Sequence, residues 1–323
     1  MCALEAQRPT ALPAPRSPQK SAWSVDPQFQ LRIAPNDTLE FGMVIGLSML
    51  SDGGVVLASH RSNSIQFFDA QGRRTKSVGR RGRGPGEFTG VSQFLRFGDT
   101  LVLVDLRGIA QLFSSTGKYV RSESKLGSNV ERLGYFSNGD RLVSTSMTDH
   151  LSPGRWEQTH DELTRISSSS SVLLGSFPSV EAMRNAGGAL SGKVYAPRNR
   201  VAVLKETFCA GYNGAFRFDC FDQRGKKIST VERKGVKVKP VTNDDKEAYF
   251  AGIYEANKTT PEIANDMQQV RARVQFSERF PAFGEWSPHK TTWSGSDHQA
   301  SKISSSPIRI LYRKVQRYGR YTR

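Results

Sequence analysis

The sequence lacks the features that would assign a function class at once. It has no apolar run near the ~20 residues that a membrane-spanning helix needs, and it has no Walker loop, nucleophile elbow or Rossmann fingerprint. Acidic residues are also few, since 30 Asp and Glu stand against 46 Lys and Arg and give a formal net charge of +16. These absences argue against helical membrane spans and common nucleotide or acyl-transfer chemistry, and the charge points to acidic partners.

The basic excess is concentrated at the C-terminus. From Trp286 onward, eight Lys or Arg accompany one acidic residue, so this stretch holds nearly half of the net charge. We expect residues 286–323 to form a basic, Ser- and Thr-rich disordered tail, and nucleic acid is not the favoured partner. Residues 1–24 are rich in Pro, Ala and Gln without the apolar segment of a signal peptide, which predicts a disordered leader. The alternative is a true start further upstream.

Cysteine is scarce, with three residues and no metal-binding spacing. Cys2 lies in the leader, whereas Cys209 and Cys220 flank a Gly- and Asn-containing turn and are therefore predicted on neighbouring antiparallel strands. A disulfide requires facing positions and a Cα separation of about 5.5 Å, which the sequence does not establish. We expect two reduced thiols that pack as apolar groups, with a disulfide as the alternative.

A hairpin-rich module recurs along the chain. Residues 68–73 read Phe-Asp-Ala-Gln-Gly-Arg, and residues 113–118 and 221–226 repeat this strand end followed by a polar turn with Gly. A Gly- or Asn-containing turn before an apolar strand recurs upstream of these copies, at residues 51–54, 98–100, 137–140 and, more weakly, 198–200. Even spacing of short strands and tight turns favours a β-propeller of four-stranded blades over a sandwich.

The module resembles the NHL repeat over residues 64–88. There an Ile-x-aromatic-aromatic-Asp strand precedes an x-x-Gly turn and a Gly-rich linker that ends in Phe88. The Gly-Pro-Gly-Glu-Phe form of the linker is similar to that of bacterial six-bladed propeller proteins, many of them exported. The resemblance covers about residues 40–285 and implies an all-β, six-bladed propeller domain over residues 25–285. It also implies a periplasmic or secreted protein, although a chain without a signal peptide would stay in the cytoplasm.

Residues 242–275 interrupt the strand pattern with a predicted helical insertion. Thr242 or Asn243 can cap a helix that runs to about Asn257, and Thr260 with Pro261 opens a second helix. The apolar face of that second helix comprises Ile263, Met267, Val270 and Val274. The strand unit of a final blade is missing after residue 285. We expect an altered or missing last blade caused by a reading-frame change, with a native disordered tail as the alternative.

The candidate ligand-binding residues lie at one end of the predicted blades. With strands named a to d in chain order, the b–c loops and the d–a linkers share an end because successive strands alternate in direction. The residues predicted there are His60, Arg61, Arg80, Arg81, Arg83, Asp105 and Arg107. Arg forks suit carboxylates and phosphates, so this end is predicted to be an anion-binding rim. The alternative is a solvated loop in which Phe88 only packs between blades.

Catalysis has little support in the sequence, and we expect no catalytic residue, no metal and no cofactor. The resemblance to lactonase and lyase propellers would place the reactive groups at His60, Asp105, Ser146 and Lys205, one from each recognisable b strand, which make a poor metal cage. His150 and His160 are predicted in a solvated loop. The leading hypothesis is a non-enzymatic protein that binds a protein or glycan ligand. A metal-dependent lactonase or lyase and an RNA-binding domain are the alternatives, and the oligomeric state is open.

Overall fold

The fold is all-β and of the propeller type. The computed structural model describes residues 10–12, 23–25, 33, 44–60, 63–257, 267–284 and 315–317. In these residues, consecutive strands pair antiparallel with their neighbours to form four sheets of at least four strands, and two pairs of short strands form two further sheets. Each of the four larger sheets has the meander order expected of a blade, so the prediction of an all-β fold built from four-stranded units with a helical insertion is confirmed.

The strands follow the chain order. Strands β1 (Thr10–Leu12) and β2 (Trp23–Val25) precede the first sheet, which comprises β3 (Val44–Met49), β4 (Val55–Ser59), β5 (Ile65–Phe68) and β6 (Arg74–Val78). The short strands β7 (Arg80–Arg81) and β8 (Glu87–Phe88) lead to the second sheet, which comprises β9 (Val91–Phe97), β10 (Thr100–Asp105), β11 (Ala110–Ser114) and β12 (Tyr119–Glu123).

The third and fourth sheets each gain a fifth strand. The third sheet comprises β13 (Val130–Tyr135), β14 (Arg141–Met147), β15 (Trp156–Ile166), β16 (Ser171–Arg184) and β17 (Leu190–Gly192). The fourth comprises β18 (Asn199–Leu204), β19 (Thr207–Tyr212), β20 (Arg217–Asp222) and β21 (Lys227–Arg233), and β1 pairs in parallel with β21. A last strand, β22 (Val315–Arg317), pairs antiparallel with β2.

One repeated turn explains the repeated sequence. In the turn after β5, Asp69 Oδ1 accepts hydrogen bonds from the N–H groups of Gln71 at 3.0 Å and Arg73 at 2.9 Å. These bonds, led by that from Arg73, hold the pKa of Asp69 below its ordinary value. Gly72 takes a φ of 79°, which a side chain would disfavour. Asp222 closes the turn after β20 in the same way, so an Asp-x-x-Gly turn closes the c–d hairpin in both the first and the fourth sheet.

The sheets form two compact units, each with its own apolar core. In one unit the first and second sheets pack face to face around buried residues that include Phe67, Leu103 and Phe113. In the other unit the third and fourth sheets enclose a core that includes Phe136 and Phe208. Two faces packed in this way bury apolar side chains that neither sheet could bury alone.

The helical insertion belongs to the unit of the third and fourth sheets. Helix α1 (Asn243–Asn257) begins as predicted, because Thr242 Oγ1 accepts the N–H of Asp245 at 3.3 Å and the Asp245 carboxylate accepts the N–H of Thr242 at 2.9 Å. Helix α2 (Met267–Arg273) follows, whereas Thr260, Pro261 and Ile263 lie outside the described residues.

The two central cysteines are bonded, so the expectation of reduced thiols is wrong. Cys209 on β19 lies directly opposite Cys220 on β20, with a Cα separation of 3.9 Å, and the two form a disulfide. The sequence located the two strands correctly but did not give the register that makes the residues face each other. The disulfide therefore joins the two middle strands of the fourth sheet.

The predicted domain bounds stay a prediction. Most of residues 1–24 and 286–323 lies outside the described part of the chain. Within these two ranges, the structure describes only residues 10–12, 23–24 and 315–317. In the described residues, no helix is both long and apolar enough to cross a membrane.

Candidate ligand-binding surface

The linker between the first and second sheets, residues 79–90, is the centre of the candidate surface. It folds back on itself, since β7 and β8 pair in parallel with Arg80 beside Glu87 and Arg81 beside Phe88. Phe88 is completely buried in the core between the two sheets, where its ring centroid lies 5.9 Å from that of Phe113. The aromatic side chain therefore anchors the basic loop to the packed interior.

Glu87 holds the basic loop together from inside. Its carboxylate accepts hydrogen bonds from the Gly84 N–H at 2.8 Å and from Arg80 Nε at 2.7 Å. These two interactions, with the Gly84 bond first, hold the pKa of Glu87 below its ordinary value. The carboxylate occupies the space that a side chain on Gly82 would need. The glycines of the linker thus make room for Glu87, and Arg80 is neutralised by it.

Gln111 fixes the same loop from the second sheet. This buried residue of β11 accepts the Gly86 N–H at 2.8 Å, and its Nε2 donates to Glu87 O at 2.7 Å and Gly84 O at 3.2 Å. All three partners are backbone groups, so the contact depends on the path of the chain and not on the linker side chains. The linker is thus bound at its centre by both Glu87 and Gln111.

Arg81 and Arg83 are the exposed cations of this fixed loop. Among the described residues, neither guanidinium has a carboxylate within ion-pair distance, in contrast to Arg80. An unpaired Arg on a fixed backbone can offer its planar set of donors to a carboxylate or phosphate. The geometry of the loop therefore allows an anion to bind at these two residues.

The b–c loops of both sheets lie against the linker, as the repeat predicts. His60 Nδ1 is 2.9 Å from Val91 O, and the Leu106 N–H donates to Gly90 O at 3.1 Å. Leu106 itself is 57% exposed and packs beside Gly90. An apolar side chain therefore projects to solvent next to the arginine-bearing linker.

Asp105 and Arg107 form a closed unit and leave little capacity for a ligand. Asp105 is buried and accepts hydrogen bonds from the N–H groups of Arg107 at 2.9 Å and Ile109 at 3.1 Å. The Arg107 guanidinium also binds this carboxylate, with Nε at 2.6 Å from Oδ2. The pair repeats the Asp-x-x-Gly turn in a b–c loop, so both residues have a structural role here.

The structure thus divides the predicted site residues into groups. It places His60, Asp105 and Arg107 close to the linker in internal contacts. It pairs Arg80 with Glu87, although the Arg80 side chain is itself 82% exposed, and it leaves Arg81 and Arg83 exposed with no carboxylate within ion-pair distance among the described residues. Arg61 lies outside the described residues. Sequence reasoning missed Glu87, Gln111 and Leu106. The acidic residue of Gly-Pro-Gly-Glu-Phe was a usable signal for Glu87, whereas nothing in the local sequence marks Gln111.

Two of the positions considered for catalysis, Lys205 and His160, are placed differently from the prediction. Ser146 lies in β14, a b strand, but Lys205 lies in the turn between β18 and β19, because residues 199–204 form the first strand of the fourth sheet and not its second. His160 lies within β15 and not in a loop. In the part of the chain that the structure describes, no three His, Cys, Asp or Glu side chains gather as metal ligands do.

Comparison with known proteins gives structural likenesses only. No family model matches the chain, and no curated protein matches it. Among solved structures, a Bacteroides fragilis protein described as exported is 12% identical, with a TM-score of 0.37, and the match covers 65% of this chain and 76% of that one. Streptogramin B lyase is 11% identical, with a TM-score of 0.35 and coverage of 67% and 76%.

A third solved structure is the WD40-repeat region of RRP9. It is 11% identical, with a TM-score of 0.33, and the match covers 64% of this chain and 70% of that chain. None of these likenesses bears on what the protein binds.

Proposed function

We propose that this chain is a non-enzymatic binding protein, a six-bladed propeller of the NHL-like type, which recognises an acidic group of a protein or glycan ligand. The binding surface is the linker surface, defined as Arg81, Arg83 and Leu106. The observation that carries the proposal is that Arg81 and Arg83 stay exposed on a loop whose backbone is held by Glu87 and Gln111.

Preorganisation is the physical reason to place binding here. A ligand that binds a flexible loop must order that loop, and this ordering costs part of the interaction energy. In residues 79–90 the ordering is already done by backbone contacts of Gln111 and by the buried ring of Phe88. Leu106 adds an exposed apolar side chain next to Gly90, at the end of the same linker. This combination suits a ligand with a carboxylate or phosphate next to an apolar group.

The disulfide supports a location outside the reducing cytoplasm. Structural disulfides persist in the periplasm and in secreted proteins, whereas cytosolic thiols are kept reduced. The bond between Cys209 and Cys220 is buried in the fourth sheet and so has the setting of a structural bond. We therefore propose a periplasmic or secreted protein. A single propeller domain over residues 25–285 belongs to the same proposal.

Charge reversal on the linker surface tests the proposal. The double variant Arg81→Glu with Arg83→Glu is compared with Arg74→Glu with Lys118→Glu, which changes the charge equally on β6 and on the turn after β11. Binding is measured by surface plasmon resonance to acidic peptides, to oligogalacturonate, and to neutral peptides of the same length. We expect an acidic probe to bind and the linker variant to weaken it at least tenfold. Equal weakening by both variants, or no binding of any acidic probe, would overturn the proposal.

A further inference from the structure

The unit of the third and fourth sheets carries a second cluster, at the b–c end of its strands. Strands β15 and β16, with 11 and 14 residues, are the longest of the described strands, and they extend past the end of β14. Trp156 and Gln158 lie on this extension, and Glu181 of β16 is opposite Gln158. The extension is thus the open end of the β15–β16 pair, and it presents polar and aromatic side chains beyond the end of β14.

A neutralised ion pair lies over the indole ring. Lys193 Nζ is 2.9 Å from both Glu181 carboxylate oxygens and 4.9 Å from the centre of the Trp156 ring. The Lys193 and Glu181 side chains keep 26% and 36% of their area exposed. Tyr212, the last residue of β19, has its hydroxyl in contact with Gln158, and burial raises its pKa, with the nearby Glu181 carboxylate adding to the effect.

A second polar group lies beside Tyr212. Asn199, the first residue of β18, is directly opposite Tyr212, and its Nδ2 is 3.5 Å from Asp161 Oδ2. Ser146 Oγ donates to Asp161 Oδ1 at 3.2 Å. The Asn199 amide oxygen is buried and, among the residues that the structure describes, has no hydrogen-bond partner. Buried polar atoms without a partner are uncommon, so the Asn199 amide would gain a hydrogen bond by turning its oxygen outward to a donor supplied by a ligand.

We infer that this cluster is a binding subsite for a neutral saccharide. A sugar ring offers hydroxyl groups that both donate and accept hydrogen bonds, together with a C–H face that packs on an aromatic ring. The cluster supplies the complementary set: the Asn199 oxygen and the Glu181 carboxylate accept, Lys193 and Tyr212 donate, and Trp156 presents an aromatic surface.

The charges of the cluster argue for a neutral ligand. Two carboxylates, Asp161 and Glu181, stand against the single ammonium of Lys193, which is already engaged by Glu181. An anionic ligand would meet a carboxylate at either end of the cluster, and like charges brought together in a partly dry site are costly. The saccharide subsite therefore differs in ligand class from the linker surface, and it does not depend on the function proposed there.

Isothermal titration calorimetry with defined oligosaccharides tests the inference. The probes are cellohexaose, chitohexaose and maltohexaose, with hexagalacturonate as the acidic comparison. We expect saturable binding of at least one neutral hexasaccharide, and we expect Glu181→Gln and Tyr212→Phe each to weaken it at least fivefold. Glu157→Gln is the matched control, because Glu157 lies between Trp156 and Gln158 on β15 but pairs with Arg155. Circular dichroism checks that every variant is folded.

The outcomes are distinguishable from those of the linker experiment. The variant Arg81→Glu with Arg83→Glu should bind the neutral saccharide as the wild type does, even if it loses acidic probes. Absence of saturable binding for all three neutral hexasaccharides would overturn the inference. Equal weakening by Glu157→Gln, or binding that Glu181→Gln and Tyr212→Phe leave unchanged, would also overturn it, because the cluster would then not be the place of contact.

Discussion

Gln66 and Gln111 occupy the same register in the first and second sheets, and each binds the serine opposite it, but Gln111 also binds the linker. Gln66 lies opposite Ser77, and Gln111 lies opposite Ser122. The Gln111 amide binds three backbone groups of the linker, and its Oε1 also accepts the Ser122 hydroxyl at 3.2 Å. Gln66 Nε2 instead donates to the hydroxyls of Ser64 and Ser77, and its buried Oε1 has no hydrogen-bond partner among the described residues. The same repeat position thus fixes the linker in the second sheet and binds only serine hydroxyls in the first.

This difference predicts unequal costs for the same substitution. Gln111→Leu would leave the half-buried Gly86 N–H and Glu87 carbonyl without their Gln111 partner, so we expect it to lower the free energy of unfolding by about 2 to 4 kcal/mol. Gln66→Leu removes an unsatisfied oxygen together with two bonds to Ser hydroxyls, so its expected cost is about 1 kcal/mol or less. Urea denaturation of both variants measures the difference. Equal losses would show that Gln111 does not hold the linker.

Glu87 should make the linker sensitive to acid. Its pKa in the folded protein is held below the ordinary value, first by the Gly84 N–H and then by Arg80. Because the folded pKa is depressed, the stabilisation is fully present above the unfolded pKa of about 4.3 and is lost as the pH falls through the folded value. Glu87→Gln should therefore be less stable than the wild type at pH 7, and this difference should shrink towards pH 3.

Thermal unfolding of the wild type and Glu87→Gln between pH 7 and pH 3 measures this effect. The matched control is Glu131→Gln, since Glu131 is exposed on β13 in the other unit. A stability difference between wild type and Glu87→Gln that stays constant over this range would contradict the assigned role of the carboxylate.

The sequence predicted those parts of the fold that depend on local chemistry. Asp69 and Gly72 were recognisable because an Asp-x-x-Gly turn needs a side-chain acceptor and a positive φ at fixed spacing. The cap of α1 was predictable for the same reason. The fourth sheet was harder, because residues 199–204 look the same as a first or a second strand and only pairing with β19 decides between them. The resulting shift of one strand made the assignment of Lys205 wrong.

The candidate site shows the same division. The alternation of strand direction predicted at which end of the blades the site lies. The contacts of His60 with Val91 and of Leu106 with Gly90 agree with that placement. The sequence could not predict which of the three arginines forms an ion pair, since Arg80, Arg81 and Arg83 are the same residue type in the same linker. Only the backbone pairing of β7 with β8 brings Glu87 to Arg80 and leaves the other two without a carboxylate partner among the described residues. Contacts between distant residues, such as Gln111 with Gly86, have no local signature.

The disulfide gives a prediction about thiol counts. Because Cys209 and Cys220 are bonded, alkylation of the denatured, unreduced protein should modify one cysteine, Cys2, and alkylation after reduction should modify three. In the chain-entropy description, closing a loop of this length stabilises the fold by about 3 kcal/mol. The double variant Cys209→Ala with Cys220→Ala should therefore unfold at lower urea concentration, whereas Cys2→Ala should not. Three reactive thiols before reduction would contradict the bond.

Two glycines with similar backbone angles should differ in their tolerance of a side chain. Gly225 and Gly235 have φ values of 80° and 74°. An Ala at either position would therefore have a left-handed backbone conformation, which lowers the free energy of unfolding by about 1 kcal/mol. A Cβ on Gly225 would also lie 2.5 Å from the Leu174 backbone oxygen, whereas a Cβ on Gly235 would meet no atom within 4 Å. Since backbone cannot move aside cheaply, Gly225→Ala must separate the turn after β20 from β16.

We therefore expect Gly225→Ala to lower the free energy of unfolding by about 1 to 3 kcal/mol more than Gly235→Ala does, which is the range found for overpacked sites. Urea denaturation of the two variants under identical conditions measures the difference, and the shared φ makes Gly235→Ala the matched control for backbone strain. If the two substitutions cost the same, the turn after β20 does not press against β16. The face-to-face packing of the third and fourth sheets would then be looser at this end than the contact of Gly225 with Leu174 requires.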